Sequence, residues 1–165
     1  MMDRRKRKTQ TTITEVFYQL LKKKSYEEIS VSQICQVADI NRGTFYLHFM
    51  DKDDLLEKSI AHEMQKLFNY CDRCEESSDL KKLEKTFEYI AAHRDHLQRL
   101  FLADKQGFFA RFQINYLMKQ MTDQPQLTSI FFAHGFVGLL EHYLVNDISE
   151  IEISQEIEKI THSLR

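Results

Sequence analysis

The stretch Ile29-Ser30-Val31-Ser32-Gln33-Ile34-Cys35-Gln36-Val37-Ala38-Asp39-Ile40-Asn41-Arg42-Gly43-Thr44-Phe45-Tyr46-Leu47-His48-Phe49 decides the fold. Ser30 and Gln33 have the spacing of a capping box, in which a serine hydroxyl and a glutamine three residues on satisfy each other's free backbone N–H groups. A short helix bearing Ile34, Val37 and Ala38 should start there. Asp39-Ile40-Asn41 then interrupts it, because Asp and Asn tolerate turn and left-handed conformations. Asn41 is placed to cap a second short helix, Arg42 to His48. Two short helices around a three-residue turn make a helix-turn-helix over residues 30 to 52.

Upstream, Ile13, Val16, Phe17, Leu20 and Leu21 form one apolar helical stripe that ends at Lys22-Lys23-Lys24. Lysines at a helix C-terminus complement its dipole and can equally meet phosphates. Downstream, Asp51 should cap a long amphipathic helix with an acidic first turn (Asp53, Asp54) and an apolar stripe of Leu56, Ile60, Met64, Leu67 and Cys71. The polar run Glu75 to Asp79 leads to further helices expected near 79–92, 94–104, 106–121, 126–146 and 150–163. One proline and four glycines in 165 residues, 42% of them hydrophobic, suit helices joined by short turns. The expectation is an all-α chain of about nine helices, with a helix-turn-helix domain over 1–52 and a helical regulatory and dimerisation domain over 53–165.

Charge divides along the same line. Met1 to Lys52 holds ten Lys/Arg against six Asp/Glu, and the remainder thirteen against nineteen. A basic end can meet a polyanion while an acidic body stays solvated. Charge alone leaves Arg4, Arg5, Lys6, Arg7 and Lys8 as either a solvated tail or a phosphate-contacting arm. No apolar run approaches the roughly 20 residues of a membrane span, and no signal peptide follows the charged start, so a cytoplasmic protein with reduced Cys35, Cys71 and Cys74 is expected.

The quoted stretch, continued by Lys52-Asp53-Asp54-Leu55-Leu56, resembles the DNA-binding domain of the TetR family of bacterial regulators, most specifically through Gly43-Thr44-Phe45-Tyr46-x-His48-Phe49-x-x-Lys52. The similarity covers about Ile13 to Ile60. Phe131 to Leu144 looks like the penultimate helix of a short-bodied subset of such regulators. Two departures stand out: Asp39 occupies a turn position where the family usually has glycine, and Lys24-Ser25 replaces a usual loop glycine.

A recognition helix presents its first residues to base edges in the major groove. Arg42 is the candidate base reader, since a guanidinium bonds guanine O6 and N7 together. Gly43 lets backbone approach the duplex, and Thr44 and Tyr46 offer phosphate or thymine contacts. The resemblance implies that His48 and Lys52 anchor phosphates. Ser32 and the arm of Arg4, Arg5 and Lys6 are further backbone candidates, while Ile34, Ala38, Ile40, Phe45 and Phe49 should pack the motif's core. The expected partner is double-stranded operator DNA.

Apolar residues surround the 126–146 segment, so it needs cover on two sides. A homodimer through it and the last helix follows, with Phe131, Gly135, Gly138, Tyr143 and Ile157 as interface candidates. The resemblance further implies a small-molecule effector that releases the operator from a repressor. Phe87, Phe101, Phe108, Phe112 and Tyr116 can line its pocket, although aromatics at helical spacing more often fill a core. Cys71-x-x-Cys74 with His93-x-x-His96 has the ligand types of a zinc site but not a recognised spacing. No metal, cofactor or catalysis is expected, since no nucleophile elbow, phosphate loop or compact metal motif occurs. The rival reading is a TetR-like interaction protein or co-activator acting through a protein partner.

Overall fold

The computed structural model describes residues 4–73, 79–123, 125–146, 148, 149, 151, 152, 155, 156 and 159, except the side chains of 79–84. Among these residues the chain is all-helical, with eight α-helices and no strand. They are α1 (Arg4–Leu21), α2 (Val31–Val37), α3 (Arg42–Tyr46), α4 (Lys52–Asp72), α5 (Asp79–Ala92), α6 (Arg94–Ala103), α7 (Phe108–Gln120) and α8 (Gln126–Val145). The expected last helix, with Ile153, Ile157 and Ile160, falls largely outside the described residues.

Helix α4 organises the molecule. Its Asp51 cap accepts the Asp54 N–H at 2.7 Å, and its 21 residues bury Leu55, Leu56, Ile60, Met64, Leu67 and Cys71. At one end it continues the helix-turn-helix, and along its length it packs on α5, α6 and α7. Helix α1 lies across α2 and also meets α6, so a continuous apolar core runs from Ile13 and Phe17 through Phe45 and Leu55 to Phe109 and Leu140. Each such fully buried large side chain contributes about 1.5–3 kcal/mol.

Helix α8 has no polar face. One side (Ala133, Phe136, Val137, Leu140, Tyr143, Leu144) is buried against α6 and α7. Arg94 holds its end, stacking 4.5 Å over the Tyr143 ring and donating to the carbonyls of Tyr143, Asn146 and Ile148. These are carbonyls that a helix terminus would otherwise leave unpaired. The opposite side exposes Leu127, Phe131, Gly135, Gly138 and Val145, with His134 and His142 among them.

Tyr143 corrects one expectation. It was grouped with the interface residues, but it is 2% exposed and meets the Phe87 ring edge-on at 6.0 Å. At 100° per residue it lies on the same face as Phe136 and Leu140, well away from Phe131 and Gly138. Ile157 lies outside the described residues. No helix among the described residues is long and apolar enough to cross a membrane.

Candidate nucleic-acid interface

The reading unit is built by caps. Ser30 Oγ accepts the Gln33 N–H at 3.2 Å, and Gln33 Oε1 accepts the Ser30 N–H at 3.0 Å, so the capping box forms as the spacing predicts. Helix α2 ends in a reversal centred on Asp39, whose φ is +52°. The Ile40 N–H bonds the Cys35 carbonyl at 3.0 Å and the Asp39 N–H bonds that of Gln36 at 3.4 Å, the pairing of a Schellman motif. That motif needs a left-handed residue, which explains why glycine is usual here and why aspartate is among the few substitutes.

Asn41 then caps α3, its Oδ1 accepting from the Thr44 N–H at 2.7 Å and from Thr44 Oγ1 at 3.1 Å. A Cβ on Gly43 would sit 3.2 Å from that same Oδ1, so glycine also protects the cap. Phe45 and Phe49 are buried with Ile34, and Ala38 and Ile40 pack partly against them. This small core fixes a five-residue helix that could not stand alone.

With its inner face buried, α3 turns Arg42, Gly43 and Tyr46 outward, with Thr44 half-buried. The Arg42 guanidinium donates to Ser32 Oγ, which joins the expected reader to a residue of the preceding helix. Thr44 donates its hydroxyl hydrogen to the cap, which leaves its methyl and the oxygen's two lone pairs for a ligand group that donates. His48 is half-buried, and burial, then the charges of Lys6 and Lys58, hold its pKa below the usual histidine value. Cations from the α1 arm and from α4 therefore converge on the histidine. Arg4, Arg5 and Lys6 are all exposed on the first turns of α1.

Lys52 occupies a different place from the one its role as a phosphate anchor suggests. Its ammonium donates to the Tyr26 and Ile29 carbonyls at 2.7 and 2.8 Å and lies 4.0 Å from the Tyr26 ring centroid. Two of its three N–H donors thus clamp the loop between α1 and α2 to the start of α4. Three residues went unnoticed in the sequence. Lys58 bonds the His48 carbonyl at 3.2 Å and Asp54 at 2.8 Å beside the reading helix, and Leu47 and Met50 are large apolar side chains left exposed next to Tyr46. Periodicity marks Lys58 only as a polar helix position, and it assigns Leu47 and Met50 to no face because the helix ends there.

Among the described residues, the candidate effector aromatics pack against several different neighbours. Phe87 packs edge-on against Phe136 at 5.5 Å, Phe101 against Phe109 at 5.5 Å, and Tyr116 stacks on Phe68 at 3.8 Å. Phe108 is buried under the Arg111 guanidinium, and Phe112 packs partly into the core. Phe87, Phe101 and Tyr116 thus each meet a ring of another helix, and all but Tyr116 belong to or pack against the apolar core. Open space lies instead between the end of α1 and α6, in a cleft of about 580 Å3 lined by Lys22, Lys23, Lys24, Tyr26, Arg99 and Lys105 among others. Its Arg99 is already held by Asp95 at 2.8 Å, and Lys105 lies 4.0 Å from Glu27.

The residues of the imagined zinc site find other partners. Cys71 Sγ is 3.4 Å from Thr86 Oγ1, His93 Nδ1 is 2.8 Å from the Tyr89 carbonyl, and His96 faces Glu63; Cys74 lies outside the described residues.

The family model for bacterial regulatory proteins of the tetR family matches residues 13–58, which spans α1 through the start of α4. A curated relative, the HTH-type dhaKLM operon transcriptional activator DhaS of Lactococcus lactis subsp. lactis, is 31% identical over 120 residues, 72% of this chain and 63% of its own length. The chain thus spans less than two thirds of that relative. Among solved structures, the dihydroxyacetone kinase operon activator DhaS superposes with a TM-score of 0.67 at 24% identity, covering 94% of this chain and 95% of that one. A transcriptional regulator (TerR/AcrR family) from Aquifex aeolicus VF5 gives 0.65 at 20% identity, covering 95% and 99%. Taken with the capped, outward-facing α3, these likenesses place residues 13–58 in the tetR family of bacterial regulatory proteins, on a body that shares the all-helical fold of such regulators.

Proposed function

We propose that the protein is a sequence-specific DNA-binding transcriptional regulator that works as a homodimer on a palindromic operator. The observation that carries this reading is the first turn of α3. Arg42, Gly43 and Tyr46 face outward from a helix capped by Asn41, and Lys6 and Lys58 bring positive charge to His48 just beyond it. A rigid helix whose outward face lies near Lys6 and Lys58 suits a major groove flanked by phosphates. In this reading Arg42, Gly43, Thr44 and Tyr46 meet the bases, while His48, Ser32, Arg4, Arg5 and Lys6 meet the backbone. Lys52 supports that face from behind and has one donor left for a phosphate.

Residues 1–52 act as the reading head and 53–165 as the regulatory body. The dimer forms through the outer side of α8, where Phe131 is 65% exposed and a Cβ on Gly135 or Gly138 would meet nothing within 4 Å. That face accepts close approach of a second backbone. A small-molecule effector would then act by changing the separation of two heads, which must sit about 34–36 Å apart to enter successive grooves. Repression relieved by the effector is the family's implied outcome. The activator named among the relatives carries the same kind of head, so the sign of control follows from the operator's position at its promoter.

A gel-shift titration against genomic fragments tests the reading. One preferred, near-palindromic fragment bound with a steep salt dependence is expected. Weak binding shared by all fragments and indifferent to Arg42→Ala would overturn it and favour a protein-partner role.

A further inference from the structure

Glu63 puts a charge on the buried face of α4, where the other buried positions are apolar except Ser59. It is 2% exposed, between Ile60 and Leu67 on the buried face. Three side chains converge on its Oε1: the Tyr18 hydroxyl of α1 at 3.3 Å, Lys66 Nζ of α4 at 2.8 Å and His96 Nε2 of α6 at 3.4 Å. The Tyr18 ring stands edge-on to the His96 ring at 4.4 Å, and its hydroxyl also reaches the Ser59 carbonyl at 3.4 Å. Burial pushes the Glu63 pKa upward, but the contacts with His96 and Lys66 outweigh it and bring the group to about 2. The carboxylate is therefore charged.

A buried charge is tolerated only while its partners keep their geometry, and losing one partner costs far more than the pair contributes. Helix α1 belongs to the reading head and α6 to the body, and both reach the same oxygen.

We propose that Glu63 is the positioning residue that fixes the reading head on the body, through Tyr18 on one side and His96 on the other. In a dimer it thereby sets the separation of the two α3 helices. The inference rests on the DNA-reading function proposed above, and part of its test is independent of DNA.

The full chain is compared with Glu63→Gln, Tyr18→Phe and His96→Gln. Without DNA, hydrogen exchange of Glu63→Gln is expected to speed up about tenfold or more at α1 amides around Tyr18 and α6 amides around His96, with helix content unchanged. With DNA, two duplexes are used: the palindrome preferred by the unmodified chain and a single half-site. Glu63→Gln should weaken palindrome binding about tenfold or more and half-site binding less than about twofold, because only two-headed binding needs the separation. A structural role alone would weaken both duplexes equally.

Equal losses on the two duplexes, or unchanged exchange in α1 and α6, overturn the proposal. If the unmodified chain prefers no palindrome, the DNA reading fails and the exchange result still decides whether Glu63 holds α1 to α6. Should Glu63→Gln not fold, Tyr18→Phe removes only a hydroxyl and carries the same two measurements.

Discussion

Replacing Arg42 by alanine separates reading from holding. In the DNA-free chain the Arg42 guanidinium donates to Ser32 Oγ, so engaging a base means giving up that bond. Both residues are exposed, which places the bond's net worth near the low end of about 0.5–1.5 kcal/mol. A bidentate contact to guanine discriminates by about 1–3 kcal/mol. The difference leaves about 0.5–2.5 kcal/mol per head and about 1–5 kcal/mol for two heads, roughly a 5-fold to 4,000-fold loss of operator affinity in Arg42→Ala. Binding to unrelated DNA should fall far less. Fluorescence anisotropy on the preferred fragment and on a scrambled duplex, each over a salt series, measures both quantities. Ser32→Ala is the companion variant: it frees the guanidinium but also removes the backbone contact of Ser32, so operator binding should change by less than about tenfold. Equal losses of Arg42→Ala on both duplexes, with the salt slope reduced by about one charge per head, would refute base reading and make Arg42 a phosphate contact.

Three further outcomes follow from other sites. Asp39→Ala puts a residue with little left-handed tolerance at φ +52° and should cost about 1 kcal/mol, lowering Tm by about 2–4 °C, whereas Asp39→Gly should stay within about 1 kcal/mol of the parent. Equal melting of the two variants would mean that the turn changes shape. His48 has its pKa held down by burial, Lys6 and Lys58 in the free chain, and a nearby phosphate favours its charged form, so DNA binding takes up a proton. Affinity should therefore rise as pH falls from about 8 to about 6, and His48→Gln should flatten that profile in the same anisotropy assay. Phe131→Glu places a charge on the exposed side of α8 without touching the buried side. Sedimentation velocity should then report monomer where the parent gives dimer, and an unchanged coefficient would move the interface elsewhere.

The boundary between what sequence could and could not tell runs between local and long-range physics. The Ser30, Asn41 and Asp51 caps, the Asp39 reversal and the burial of Phe45 and Phe49 each depend on residues within a few positions, and each forms as the spacing predicts. Tyr143 was misplaced because a helix that is apolar all round carries no phase: without a polar face, periodicity cannot say which side meets the chain's own core. Lys52 was legible as a cation near the motif, yet its partners are carbonyls 26 and 23 residues upstream. Glu63 was missed altogether. In sequence it reads as a solvated acid beside the apolar stripe, since an ionised carboxylate is rarely buried without partners. Those partners, Tyr18 and His96, come from helices far away in the chain. The same distance gives the residue its significance: a contact that only the assembled head and body can make is one that any movement between them must break.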